Sequence, residues 1–503
     1  MSEKQAIIDL GSNTTRMLII ETTGSGAYHL IEDDKGVIRL SEDTIPGGEI
    51  RPAALRRAID AIRLFKGICD YHRVTKITAV ATAAVRESSN RDEFLGAMFA
   101  ETAIRFRVLS REEESYYGYL GVINTTDLTD GLIMDVGGGS IELTVVEGRK
   151  PVETTSIPWG ALNLSVRFLD RDRPTKSQLE ELESFVKGKL QAIPWIESRK
   201  GGQLFGIGGT IRTIARMSQR FGNYPFDELH NYAMAPADVA KVYDRLSGTT
   251  LEERRDLPGL SRDRADIIIG GMAAANTIIK TLKVSQVRVS SAGLRDGVFF
   301  QNYFKEPVVA DVTEFSVDNL SRLFRVDEMH AKRVTELSVA LFDQLQPVHG
   351  LKTDDRRALR AAARLHELGY YFDYGKRFNN TFYHILDNNI FGFTHLDNYR
   401  VALVAAHYGA NGIKSRSILQ NVALDKDTMR NVKKLSVLLG IADGFDRGRR
   451  GKVTSLQCHV NKNSVEIRPV HQGDITIELM TIRDLVPYFK KAFDTGITVI
   501  DSS

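Results

Sequence analysis

The chain has almost no cysteine. Two residues, Cys69 and Cys458, stand far apart in 503 residues and belong to no Cys-x-x-Cys or Cys/His zinc pattern. That argues against a disulfide framework, fits a reducing compartment and offers no catalytic thiol. Long apolar runs are lacking too. The most apolar stretch, residues 267–279, is interrupted by Gly and Asn, so no membrane span is expected. The first strand begins almost at the first residue, so no signal peptide is expected and the expected location is the cytoplasm. Charge of one sign is scarce as well. A formal net charge of +3 gives no bulk argument for nucleic acid, which is not expected as a partner, although local basic patches remain open. Hydrophobic content of 42% and charged content of 26% are ordinary for a globular protein. The length exceeds what one hydrophobic core supports.

What the chain does have is a repeat. Residues 7–20 read IIDLGSNTTRMLII and residues 133–146 read IMDVGGGSIELTVV. With Asp9 laid on Asp135, Gly11 falls on Gly137 and the apolar flanks match. Each segment reads as a strand, a Gly-containing turn and a second strand. Two such hairpins around one cleft supply backbone N–H groups, which bind phosphate oxygens, and two aspartates, which hold the cation that phosphate chemistry needs.

The plan around each hairpin is also alike. Pro52 opens a helix with an apolar face, residues 76–80 and 105–109 read as strands, and Asn90 with Glu93 starts a helix between them. In the second half, strands are expected at 203–207 and 287–290, with the turn GIGGT at 206–210 leading into a helix. From Phe304 long helical patterns take over, to about Phe445. The basic run DRGRRGK at 446–452 reads as a junction. A tail of alternating segments follows, VTSLQCHV, SVEIRPV and ITIEL, read as strands, and then a closing helix near residues 485–493. Strands with helices between them indicate α/β layers.

Six motifs occur in order: DLGSNTTR, TAAVR, SREEES, DVGGGSIE, GIGGT and SAGLRDG. Together they resemble the exopolyphosphatase/guanosine pentaphosphate phosphohydrolase (Ppx/GppA) family, in its long four-domain form, within the acetate kinase/Hsp70/actin superfamily. The resemblance implies an α/β fold class: two duplicated actin-like (ribonuclease H-like) domains at 1–125 and 126–302, an all-α HD-like domain at 303–445 and a small α/β domain at 446–503. It implies Mg²⁺ or another divalent cation, with a monovalent cation such as K⁺ as a further candidate, and a homodimer.

Asp9 and Asp135 are the candidate Mg²⁺ residues, each ending a strand beside a phosphate turn, and Glu142 lies on the outgoing strand within reach of metal or attacking water. Ser12, Asn13, Gly137, Gly138, Gly139 and Ser140 are the candidate N–H and hydroxyl donors, and Gly208, Gly209 and Thr210 sit at a helix start suited to another phosphate. Hydrolysis of a phosphoanhydride needs a group that orients and deprotonates water. The acidic cluster Glu112, Glu113, Glu114 opens a helix, and Ser110 with Glu113 has capping-box spacing. Glu114 matches the family's catalytic glutamate, with Glu113 the alternate. Arg86 is a candidate phosphate clamp through its planar fork. Ser291, Gly293 and Arg295 read as structural or as supports behind the site residues.

The helical region carries His330, His366, Glu367 and Asp443 in an order that resembles an HD phosphohydrolase domain. The family's His-Asp pair is His-Glu here, and Asn380 stands where a His would be expected. No second metal centre is assigned on sequence, and these histidines read as core or channel residues.

The expected activity is hydrolysis of the terminal phosphate of polyphosphate, with conversion of pppGpp to ppGpp at the same site. The alternatives are guanosine pentaphosphate hydrolysis as the main activity, a kinase or ATPase, for which no acceptor motif is seen, and a non-catalytic nucleotide sensor, against which the carboxylates Asp9, Glu114, Asp135 and Glu142 argue. An extended basic track, from the helical region and the 446–452 run, is expected to hold a long polyanion.

Overall fold

The computed structural model describes residues 2–40, 48–408, 422, 424–462 and 464–501. The chain forms two compact units. One holds Met1–Gly24 and Tyr28–Val312, the other Ser25–Ala27 and Thr313–Ser503.

The first unit contains two sheets built on one plan. Strands β1 (Glu3–Leu10), β2 (Thr14–Thr22) and β3 (Tyr28–Val37) form an antiparallel meander. β4 (Lys76–Ala81) then pairs parallel to β1, and β5 (Phe106–Val108) parallel to β4, giving the order β3-β2-β1-β4-β5. The second sheet repeats this. β6 (Gly131–Val136), β7 (Ile141–Glu147) and β8 (Lys150–Ile157) are the meander, and β9 (Gln203–Ile207) pairs parallel to β6. β10 (Ala233–Met234) lies at the edge beside β11 (Gln286–Val289), giving β10-β11-β9-β6-β7-β8. Parallel neighbours need crossover connections, and helices supply them. The helix Pro52–Tyr71 has Pro at its first turn and buries Ala54, Ala58, Ile62, Phe65 and Cys69, a spacing of three and four residues that lays one face on the first sheet's core. The apolar stretch noted above is the helix Ile268–Thr281, buried on all sides from Ile268 to Ile279 in the core of the second domain. No described helix is long and apolar enough to cross a membrane.

The second unit is largely helical. Helices Glu328–Gln344, Thr353–Leu365, His395–His407 and Lys426–Phe445 pack together, and a three-stranded sheet, β12 (Val453–Val460), β13 (Ser464–His471) and β14 (Gly496–Val499), belongs to the same unit. The basic run at 446–452 links the last of these helices to β12 within the unit, with Asp446 buried. One expectation fails here. The segment ITIEL is not a strand but part of the helix Thr476–Phe493 and the residue that caps it. Its five residues alternate, but the longer window carries Ile482, Leu485, Phe489 and Phe493 at helical spacing, all buried. Packing of that longer stripe decides the local conformation. The third strand is instead Gly496–Val499, after the helix, parallel to β13.

Candidate active site

The two hairpin turns close in the same way. In each, the glycine N–H donates across the turn: Gly11 to the Thr14 carbonyl at 3.1 Å, and Gly137 to the Ser140 carbonyl at 3.0 Å. The turns also face each other. A Cβ on Gly139 would lie 2.5 Å from the Ser12 hydroxyl oxygen, and one on Gly138 would lie 3.2 Å from the Cβ of Asn13. The glycines therefore let two phosphate-type turns approach to backbone contact. The carbonyls of the second turn are tied down, since Ala161 and Leu162 donate their N–H groups to Gly137 and Gly138 at 2.9 Å. Ser12, Asn13 and Ser140 are buried. Both polar atoms of the Asn13 side chain, and Oδ1 of Asp9, are buried without a protein partner. Unpartnered buried polar atoms cost free energy, so they mark where a ligand completes the site.

Strand register sets what surrounds each aspartate. Asp9 pairs across the hairpin with Arg16, while Asp135 pairs with Glu142. The duplicated position thus carries opposite charges in the two halves. Glu142 is 5% exposed and accepts a hydrogen bond from the Ser156 hydroxyl at 3.1 Å. On its other side Asp135 faces the GIGGT turn. Gly208 has φ of +83°, and a Cβ there would overlap the Asp135 carboxylate. Gly209, the next residue, lies against the guanidinium of Arg264, and the Thr210 hydroxyl donates to the Val136 carbonyl at 3.2 Å.

Glu114 and Glu113 separate cleanly. Ser110 caps the helix Arg111–Ile123, and Glu113 completes the capping box by accepting from the Ser110 N–H at 2.9 Å. Glu113 also pairs with Arg107 and is 40% exposed. The Ser110 N–H together with Arg107 holds its carboxyl below the usual range. Glu114, one residue on, points to the other side. Its Oε2 accepts from Arg86 at 2.8 Å, and Arg86 is anchored by the Leu109 carbonyl at 2.9 Å and by Glu87 at 3.3 Å. Burial works against the charge on Arg86, but Glu114 and Glu87 outweigh it and its pKa is raised. Arg86 thus holds Glu114 through Nη1 and Glu87 through Nε.

Four carboxyl groups share the cleft's field. Burial pushes Asp9 up to about 7 and Asp135 up to about 6, with Glu114 adding to both. Burial also raises Glu114, against the pull of Arg86, and raises Glu142 well above its usual value, helped by Glu114 and Asp135. A set of acids that cannot all ionise together is suited to a cation. The orphaned Asp9 oxygen fits that role. Among the described residues these acids do not converge on one point to form an all-protein cage. That suits Mg²⁺, which keeps several waters and takes oxygen from substrate phosphate.

The sequence reading missed the cationic side. Arg16, Lys35, Arg212, Arg216 and Arg264 line a cavity of 390 Å³ beside Gly209. Burial lowers Arg212 to about 9 and Arg264 to about 10, and the other guanidiniums around them add to the shift. Cations crowded at this density call for an anion. Arg16 was visible within the first motif itself, whereas Arg212 and Arg264 come from distant segments that only the fold brings together. Arg295 donates to Asp33 at 2.7 Å and to the Met17 carbonyl at 3.1 Å, and its charge pulls Asp9 down against burial.

Residues 19–306 match the Ppx/GppA phosphatase family, and residues 312–475 match Ppx/GppA phosphatase, domain III. The chain belongs to the Ppx/GppA phosphatase family. Solved members have the same fold. An exopolyphosphatase from Cytophaga hutchinsonii is 25% identical, with a TM-score of 0.56, over 60% of this chain and 98% of that one. The Aquifex aeolicus member of the family is 27% identical, with a TM-score of 0.51, over 61% of this chain and 99% of that one. The two N-terminal domains are thus of the actin-like type, and the helical unit carries the family's third domain.

Proposed function

We propose that this family phosphatase is an exopolyphosphatase, which hydrolyses the terminal phosphoanhydride of linear polyphosphate and releases orthophosphate. The observation that carries the reading is the pairing of two facing phosphate turns with a buried carboxylate, Glu114, held by Arg86. The terminal phosphoryl group sits between the turns, with N–H and hydroxyl donors from Ser12, Asn13 and residues 137–140 on its oxygens. Glu114, its pKa raised by burial, accepts the proton of a water in line with the leaving oxygen. Arg86 fixes the carboxylate in place. Asp9 and Asp135, with Glu142, would hold Mg²⁺, which would supply positive charge against the phosphate oxygens. No covalent intermediate is needed.

The cationic cavity supports a polyanion as the substrate. No aromatic ring is among its lining residues, so it offers charge for further phosphates and no surface for stacking a base. The relative from Cytophaga hutchinsonii is named an exopolyphosphatase. The pppGpp reading keeps the same cleft and chemistry, and the same arginines would take its 3′-diphosphate. A phosphate-release assay with polyphosphate, pppGpp and ATP side by side, with and without Mg²⁺, tests the proposal. Faster Mg²⁺-dependent release from polyphosphate is expected. A higher kcat/KM on pppGpp reverses the order of substrates, and no release from any of them refutes an enzyme.

A further inference from the structure

The carbonyls of the second turn are held by successive residues of one helix, Ala161–Phe168. Ala161 and Leu162 donate their main-chain N–H groups to the Gly137 and Gly138 carbonyls. The third carbonyl, that of Gly139, accepts from Nδ2 of Asn163 at 3.3 Å. Gly160 lets the helix dock this closely, since a Cβ there would lie 2.4 Å from the carbonyl carbon of Gly138.

These peptides are trans, and a planar trans peptide points its N–H opposite to its carbonyl. Fixing the carbonyls of Gly137, Gly138 and Gly139 on the helix therefore turns the N–H groups of Gly138, Gly139 and Ser140 away from it. Among the described residues none of these three N–H groups has a partner within the protein. They are the donors left for phosphate oxygens.

The first hairpin fixes the same position differently. With Asp9 laid on Asp135, Asn13 falls on Gly139. The Asn13 carbonyl accepts two main-chain N–H groups, from Ile38 at 3.1 Å and from Arg39 at 2.9 Å. In the second hairpin one side-chain amide takes their place. The amide oxygen of Asn163, Oδ1, is buried with no protein partner. A buried unpartnered oxygen costs free energy, so this amide sits there at a loss of stability.

We propose that Asn163 is a positioning residue for the phosphatase reaction: it fixes the Gly139–Ser140 peptide so that the Ser140 N–H meets a non-bridging oxygen of the terminal phosphoryl group. The inference rests on the reading of the two turns as the phosphoryl site. Charge spreads over those oxygens as the phosphoryl group transfers, so a donor aimed at them in advance stabilises the transition state more than the bound substrate. Without the amide, the freedom of glycine lets the Gly139–Ser140 peptide rotate. The donor is then misdirected while the rest of the cleft still binds the chain.

The test compares the full chain with Asn163→Ala and Asn163→Asp. Steady-state phosphate release is followed at saturating Mg²⁺, from whichever of polyphosphate and pppGpp the wild type hydrolyses faster. Asn163→Asp keeps the size of the side chain but presents carboxylate oxygens, which cannot donate to the Gly139 carbonyl. Removing one such donor outright costs roughly 10²–10³-fold in kcat, and misdirecting it should cost about 10–100-fold. KM should stay within about twofold, because the other contacts to the substrate are untouched. Circular dichroism checks folding, and if Asn163→Ala does not fold, Asn163→Asp decides alone. A kcat within about threefold of the wild type in a folded variant, or a loss carried by KM alone, overturns the positioning role. Loss of folding in both variants makes Asn163 a residue of the fold and overturns it as well. No Mg²⁺-dependent release by the wild type itself overturns the reading of the turns, and this inference with it.

Discussion

Glu114→Gln separates the base from everything around it. The side chain is 14% exposed and its Oε2 receives a 2.8 Å hydrogen bond from Arg86. Glutamine is nearly isosteric, and its amide oxygen can still accept from Arg86. What is lost is the charge and the ability to take a proton. A positioned general base contributes about 10²–10⁴-fold, equal to roughly 2.7–5.4 kcal/mol at ~1.36 kcal/mol per decade. Binding should move the other way. Glu114 is one of the charges that raise Asp9, Asp135 and Glu142. Removing it takes a repelling charge away from a polyanionic substrate, so KM should hold or fall while kcat collapses. Steady-state phosphate release gives kcat and KM, and a separate binding measurement with polyphosphate gives Kd. A kcat within tenfold of the wild type would refute the assignment. So would an equal loss in Glu113→Gln, whose carboxylate is spent on the Ser110 N–H and Arg107.

Other substitutions probe the rest of the cleft. Asp135→Asn should raise the Mg²⁺ needed for activity and lower the maximal rate; an unchanged Mg²⁺ titration would remove Asp135 from the metal site. Gly208→Ala forces a side chain into φ of +83° and onto the Asp135 carboxylate, so it should lose about 1–2 kcal/mol from backbone strain alone and show a lower Tm with impaired Mg²⁺ activation. Asp9 and Asp135 are raised from 3.8 to about 7 and about 6, so the native state binds more protons than the unfolded state between these values. Metal-free stability from these groups is therefore complete below pH 4 and falls as pH rises through about 6 and 7. The rise in Tm on adding Mg²⁺ should accordingly be larger at alkaline than at acid pH, and a pH-independent shift in calorimetry would contradict this. Truncation after Val312 tests the proposal that the second unit tethers the polymer: cleavage of long polyphosphate should suffer more than that of pppGpp, and equal losses on both substrates would count against a polymer track.

The hairpin repeat was readable from the chain because it is local. Apolar runs around Asp9 and Asp135, with a glycine two residues on, specify strand, turn and strand without tertiary information. The Ser110–Glu113 capping box was equally local, and it already set Glu113 apart from Glu114. What the sequence hid depends on convergence. Arg212 and Arg264 lie on separate elements, and only the packing of the second domain brings them to Asp135. His330, His366 and Asp443 converge only through packing of the helical unit, and Asn163 reaches the Gly139 carbonyl from a separate helix. The ITIEL segment shows the opposite problem: five alternating residues read as a strand until the apolar stripe through Phe493 makes them helix.

The central claim is that the bond between the terminal phosphorus and its bridging oxygen breaks, with water supplying the new oxygen on that phosphorus. Hydrolysis of polyphosphate in H₂¹⁸O under single-turnover conditions, with mass analysis of both products, tests it. The account predicts one ¹⁸O atom in the released orthophosphate and none in the shortened chain. Label in the shortened chain, or orthophosphate free of label, would contradict it.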